Sequence, residues 1–129
     1  MTGESIWRRF VVLEHRWDGV HWDLMLETGE ALRTWAIDAP IVPEVDLSAR
    51  ALGDHRRFYL DYEGEISGNR GTVRRVDQGR YTLEIWDEDW VRVLLEGNQL
   101  VGAAELRRIG SGTSETPSLT WIFRLGKRD

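Results

Sequence analysis

The sequence predicts a mainly β protein, a compact antiparallel β-barrel with little helix. Three observations carry this expectation. Short segments rich in β-branched and aromatic residues follow one another at close, regular spacing. They are punctuated by turn dipeptides such as Asp18-Gly19 and Gly97-Asn98 rather than by long helical patterns. Seven tryptophans in 129 residues call for a large apolar interior, and most are expected to be core or barrel-lining residues, because each indole has a large area to hide.

Each element can be justified in order. Residues 9–14 are extended, and residues 16–19 (RWDG) form a turn on Asp18-Gly19. Residues 21–27 alternate as a strand, and residues 31–37 follow after Thr28-Gly29-Glu30, which makes three antiparallel strands joined by tight turns. Pro40 and Pro43 bound a loop. Residues 47–52 read as one short helical turn, residues 59–64 as extended, and residues 66–71 as a Gly/Asn loop. Strands are expected over 72–77, 80–87, 90–96, 99–108 and 119–125. The breaks fall at Asp77-Gln78-Gly79, Asp87-Glu88-Asp89, Gly97-Asn98 and residues 110–118, the last being the expected mobile loop.

The totals narrow the function classes. Hydrophobic residues make up 41% and charged residues 30%, the balance of a soluble globular domain, and neither repeat nor linker divides residues 1–129, so one domain is expected. The absence of cysteine excludes a disulfide framework and a thiolate metal site. The N-terminus has no signal-peptide pattern, and no apolar stretch approaches the ~18 residues of a membrane helix. A cytoplasmic location with no membrane partner is expected. A net charge of −5 argues against broad, non-specific wrapping of DNA, but not against a grip on one strand end. The positive charge is mostly arginine, which suits bidentate phosphate contacts.

The chemistry centres on histidine. Of the three histidines, two lie in the first hairpin. His21 and Asp23 are two apart on a strand, so both side chains point to one face. His15 closes the preceding strand, and the Asp18-Gly19 turn brings it within reach of that face. Two imidazoles and a carboxylate, with room left for water, suit a divalent ion such as Zn²⁺ or Mn²⁺. Glu14 or Glu27 could supply a second shell to orient the imidazoles. His55 sits in Asp54-His55-Arg56-Arg57-Phe58-Tyr59 and reads either as a phosphate-facing or acid–base histidine with Tyr59 nearby, or as part of a solvated loop. Arg70, Arg74 and Arg75 follow the Gly-rich loop and read as a phosphate clamp or a solvated face. Arg74 and Arg75, being adjacent on a strand, face opposite ways.

These stretches resemble a known family. FVVLEH, HWDLMLE and LRTWAI are similar in order and spacing to the signature of the 3′-phosphoesterase domain of bacterial ligase D, in which FV-x-x-x-H precedes H-x-D-x-R-L-E and a strand with S-W-A-V. DHRRFYLDYEGEISGNRGTV resembles its D-H-P-L-x-Y-x-x-F-E-G-x-I-P-x-G-x-x-G-x-G-T-V, and the closing WIFRLGKRD resembles its last strand. The resemblance runs from about Phe10 to the C-terminus. It implies a β-barrel and a metal-dependent activity that trims DNA 3′ ends during end joining, removing a 3′ ribonucleoside and then the 3′ phosphate. It implies metal ligation by His15, His21 and Asp23, and phosphate contact by His55 and Tyr59. The implied partners are a DNA 3′ end or other phosphorylated nucleic acid and a separate ligase or end-joining protein.

The chain departs from the pattern in three places. The family's phosphate-contacting arginine, two residues after the aspartate, is Met25 here; Arg56, Arg57 or Arg70 are the candidate substitutes. The family's N-terminal polar segment has no counterpart before Phe10, which bears most on ribonucleoside removal. Residues 1–129 carry no polymerase or ligase pattern, and a stand-alone domain is expected. The alternative reading is therefore a weakened module that binds metal and nucleic-acid ends, or a repair partner, without turnover.

Overall fold

Asp18 and Gly19 turn the chain back on itself, with φ of 52° and 110°, the left-handed setting that a tight antiparallel connection uses. In the computed structural model, which describes residues 8–110, 112–113 and 115–127, this turn joins β1 (Arg8–Arg16) to β2 (Val20–Thr28). β3 (Ala31–Ile37), β4 (Leu47–Ala51) and β5 (His55–Arg56) follow, then a single 3-10 turn over Arg57–Leu60. The rest is β6 (Gly64–Glu65), β7 (Thr72–Trp86), β8 (Trp90–Gly97), β9 (Val101–Arg108) and β10 (Thr120–Leu125).

Hydrogen bonding runs β1-β2-β3-β4-β10-β9-β8-β7 and returns from β7 to β1, so eight antiparallel strands close into a barrel. Closure leaves none of these strands with an open edge. β5 adds to β3, and β6 to β7. The barrel with little helix that the sequence predicts is the fold observed. Among the described residues no helix is long and apolar enough to cross a membrane.

Three local expectations are corrected. Residues 47–52 are not helical: Leu47–Ala51 is a strand paired with both β3 and β10. Its Ala49 and Ala51 point inward at a period of two, and pairing on both sides overrides the helical preference of Leu, Ala and Arg. Residues 59–64 are not extended throughout, since Tyr59 and Leu60 end the 3-10 turn. Asp77-Gln78-Gly79 is no turn but the middle of β7, which runs on past a register shift opposite Val12 and Leu13. Asp77 is buried, and its carboxylate accepts the backbone N–H groups of Asn98 (3.0 Å), Gln99 (3.2 Å) and Leu100 (2.8 Å). It thereby builds the β8–β9 turn from across the sheet.

Side chains alternate along β1, and both faces are covered. Phe10 and Val12 enter the barrel interior with Leu24, Leu26, Trp35 and Trp121. Val11 and Leu13 face outward into a second, smaller core with Met25, Leu32, Leu60 and Val73, roofed by Tyr59, Tyr62 and Ile66. Only part of the tryptophan expectation holds. Trp35 and Trp121 are fully buried, edge to face at 5.5 Å, but Trp17 and Trp86 are exposed; Trp7 lies outside the described residues. In the β9–β10 loop, expected to be mobile, Ser111 and Ser114 also lie outside them.

Candidate functional site

The outward row of β1 and β2 continues past the second core into polar chemistry. His15 lies directly opposite His21 in the strand register, and Asp23 lies opposite Leu13, one outward position along. His15 Nδ1 is 3.2 Å from His21 Nε2 and 3.6 Å from Asp23 Oδ2, and His21 Nε2 is 3.1 Å from Asp23 Oδ1. Each imidazole nitrogen faces a different Asp23 oxygen, and one ligand atom from each of the three residues lies within 4.8 Å of the other two, close to the roughly 3.3–3.6 Å between ligands about 2.0–2.2 Å from one tetrahedral ion. Among the described residues these three form the one His/Asp/Glu group able to hold a metal ion. Asp23 is only 2% exposed, and its Oδ1 has no hydrogen bond despite the short approach to His21. A buried carboxylate oxygen without a partner is costly; a cation between the three groups would satisfy it. The residues therefore fit a divalent ion.

His15 is aimed by a backbone carbonyl. Its Nε2 is 3.0 Å from the oxygen of Arg70. A carbonyl only accepts, so Nε2 carries the proton and the Nδ1 lone pair is left for the ion. This contact depends on Gly71. At φ 83°, a Cβ there would lie 1.9 Å from the Arg16 carbonyl oxygen, so only glycine lets the 66–71 loop close onto the end of β1. The expected acidic second shell is corrected: Glu14 pairs with Arg16 and Arg74, and Glu27 pairs with Arg57 and the Arg9 amide. Asp23 holds the His15 imidazole above its ordinary range, against the opposing effect of burial. Burial resists ionisation of Asp23, but the two histidines together outweigh it and hold the carboxyl below its usual range.

A cavity of about 140 Å³ opens beside the triad, lined by His15, Trp17, Asp23, Met25, His55, Tyr59, Ile66, Arg70 and Val73. His55 is placed by the β5–β3 pairing opposite Leu32. Its Nδ1 donates to the Gly53 carbonyl at 2.9 Å, which leaves Nε2 to act on a ligand. Tyr59 packs edge-on against the His55 ring at 5.9 Å. The Arg70 guanidinium is steadied by the Ser67 carbonyl at 2.7 Å. Neither Arg70 nor Arg56 has a carboxylate partner among the described residues, whereas Arg16, Arg57 and Arg74 do. Arg56 lies over Phe58 and Tyr59, outside the cavity lining. Arg74 pairs with Glu14 and Arg75 is also absent from the lining, so of the arginine clamp only Arg70 reaches the cavity. Met25, 1% exposed, contributes to the lining from the apolar side.

Sequence reasoning missed the Arg70 carbonyl and the Trp17 rim. A backbone acceptor leaves no side-chain signature, and the one signal was Gly71. The chain matches the family described as the DNA Ligase D 3′-phosphoesterase domain over residues 13–108. That span contains every candidate site residue and leaves the closing strand β10 outside. No curated protein matches the chain. With most of its length inside the match, the chain belongs to the DNA ligase D 3′-phosphoesterase domain family.

Proposed function

We propose that this protein hydrolyses the phosphate ester at a DNA 3′ end with the help of a divalent metal, leaving a 3′ hydroxyl for a separate ligase or end-joining protein. One observation supports the reading: His15 and Asp23 of the candidate metal-binding group line one cavity with His55, Tyr59 and Arg70, from three separate chain segments. A divalent ion held by His15, His21 and Asp23 would polarise a phosphoryl oxygen and lower the pKa of a water; the donor set suits Mn²⁺ or Zn²⁺. Arg70 neutralises charge on the phosphoryl oxygens from the loop side, and Arg56, outside the cavity, would reach a phosphate further along the strand. The Tyr59 hydroxyl orients one oxygen. His55, with Nδ1–H held by Gly53, would act in its doubly protonated form, its Nε2–H giving a proton to the departing 3′ oxygen while the attacking water adds to phosphorus and gives up a proton to solvent; the products are a 3′ hydroxyl and inorganic phosphate. Removal of a 3′ ribonucleoside is an additional step that we attach to the same site. Replacing His21 with Ala should abolish both ion binding, read by calorimetry, and phosphate release. An unchanged rate in that variant sinks the assignment.

A second reading is favoured by one residue. Met25 brings a thioether to the cavity where the family pattern carries a phosphate-contacting arginine, and loss of one such donor commonly costs about 10²–10³ in rate. The chain would then bind metal and a phosphorylated end without turnover. Tight end binding with no phosphate release, and gain of release in Met25→Arg, would favour it.

A further inference from the structure

We infer that Trp17 is a stacking platform for the terminal base of the bound strand, which makes a nucleoside 3′-phosphate, rather than a small phosphate ester, the substrate class of this site. The inference rests on the proposed action at DNA 3′ ends and deepens it.

The cavity sets the first constraint. At about 140 Å³ it is well below the roughly 300–1,000 Å³ of pockets that enclose whole small molecules. It takes the phosphoryl group and little more, so the attached nucleoside must lie outside, against the rim. Trp17 forms that rim on the metal side: it lines the cavity and is still 51% exposed. Its ring lies nearly parallel to His15, at 21° and 6.3 Å between centroids.

The backbone that carries the indole is also held in place. Trp17 donates its backbone N–H to the Gly19 carbonyl at 3.0 Å. Gly71 packs so closely beneath it that a Cβ there would come within 2.6 Å of the Trp17 Cβ. A half-exposed aromatic face on a fixed backbone beside a phosphate-sized cavity is the arrangement that binds a base by stacking, whatever the base. The other exposed aromatic nearby, Phe58 at 53%, does not line the cavity, has the Arg56 guanidinium over its ring at 5.5 Å, and packs against Tyr59 and Tyr62. Trp17 is thus a positioning residue for the nucleoside.

The test uses two labelled single strands ending in a 3′ phosphate, identical except that the last nucleotide carries a base or is abasic. Anisotropy in EDTA, where nothing turns over, reads binding; phosphate release in Mn²⁺ reads KM and kcat. The wild type should bind the base-bearing strand roughly tenfold more tightly and show a correspondingly lower KM, with kcat changed far less. Trp17→Ala should place its penalty on the base-bearing strand alone, and Trp17→Phe should recover most of the loss. Equal binding and KM for the two strands in the wild type, or an equal Trp17→Ala penalty on both, overturns the inference. Base-dependent binding with no phosphate release sinks the hydrolase reading and leaves the stacking intact. Absence of both binding and release overturns the two together.

Discussion

Asp23 ties the site to pH. His15 is held above its ordinary value of 6.5 and Asp23 below its ordinary value of 3.8. A raised histidine contributes stability that is full below its unfolded value and disappears as pH rises through the folded one. A depressed carboxyl contributes stability that is present above its unfolded value and disappears as pH falls through the folded one. In metal-free protein both contributions are present between about pH 4 and 6.5. Melting curves in EDTA should show stability falling as pH rises above about 6.5, a loss that Asp23→Asn abolishes; identical profiles would contradict the coupling. The ion reverses the sense, because ligation needs neutral imidazoles. Calorimetric titration with Mn²⁺ or Zn²⁺ should show affinity rising with pH through a midpoint above about 6.5, and a pH-independent affinity would remove the histidines from the ligand set.

At the scale of elements, two contacts across the sheet carry the geometry. Gly71→Ala drives a Cβ into the Arg16 carbonyl and lifts Arg70 from His15. It should cost at least about 2 kcal/mol of stability and weaken ion affinity by roughly 10- to 100-fold, the usual effect of losing an orienting partner; denaturant melts and calorimetry measure the two. Asp77→Ala removes the buried carboxylate that accepts the part-buried amides of the β8–β9 turn and should cost about 2 kcal/mol, with ion affinity unchanged, because its partners at Asn98, Gln99 and Leu100 lie away from the triad. These two residues also mark the limit of what the sequence shows. The pairing of His15 with His21 is local, fixed by one turn and a period of two, and it was legible. In sequence Asp77 has the pattern of a turn residue because its neighbours Gln78 and Gly79 are turn formers; only the closed sheet, which sets β7 beside β8, gives its carboxylate an inward role. Likewise β4 has the composition of a helix, and its strand pairing with β3 and β10 is long-range. The family resemblance brings His55 and Tyr59 to the hairpin, and Arg70 enters only as a candidate substitute for the arginine replaced by Met25, since nothing in local periodicity places residues so far apart in sequence around one cavity.

The whole molecule separates stability from chemistry. The barrel interior is sealed by aromatic and aliphatic side chains, and the site lies on the outer wall of β1 and β2, under the segment from β5 to β7. Most arginines on this surface with a nearby carboxylate are paired, and the net charge is −5. Binding of a strand end should therefore rest on few phosphate contacts. Two of them, at Arg56 and Arg70, give a slope of about −1.4 for log affinity against log salt on single strands; a slope steeper than about −4 would mean an extended basic surface that this fold does not present. The most direct measurement is phosphate release from a DNA primer–template carrying a 3′ phosphate, followed with and without Mn²⁺. Mn²⁺-dependent conversion to a 3′ hydroxyl, lost in His15→Ala and His21→Ala, is the predicted result. No conversion by protein shown to hold the ion at the triad would contradict the account.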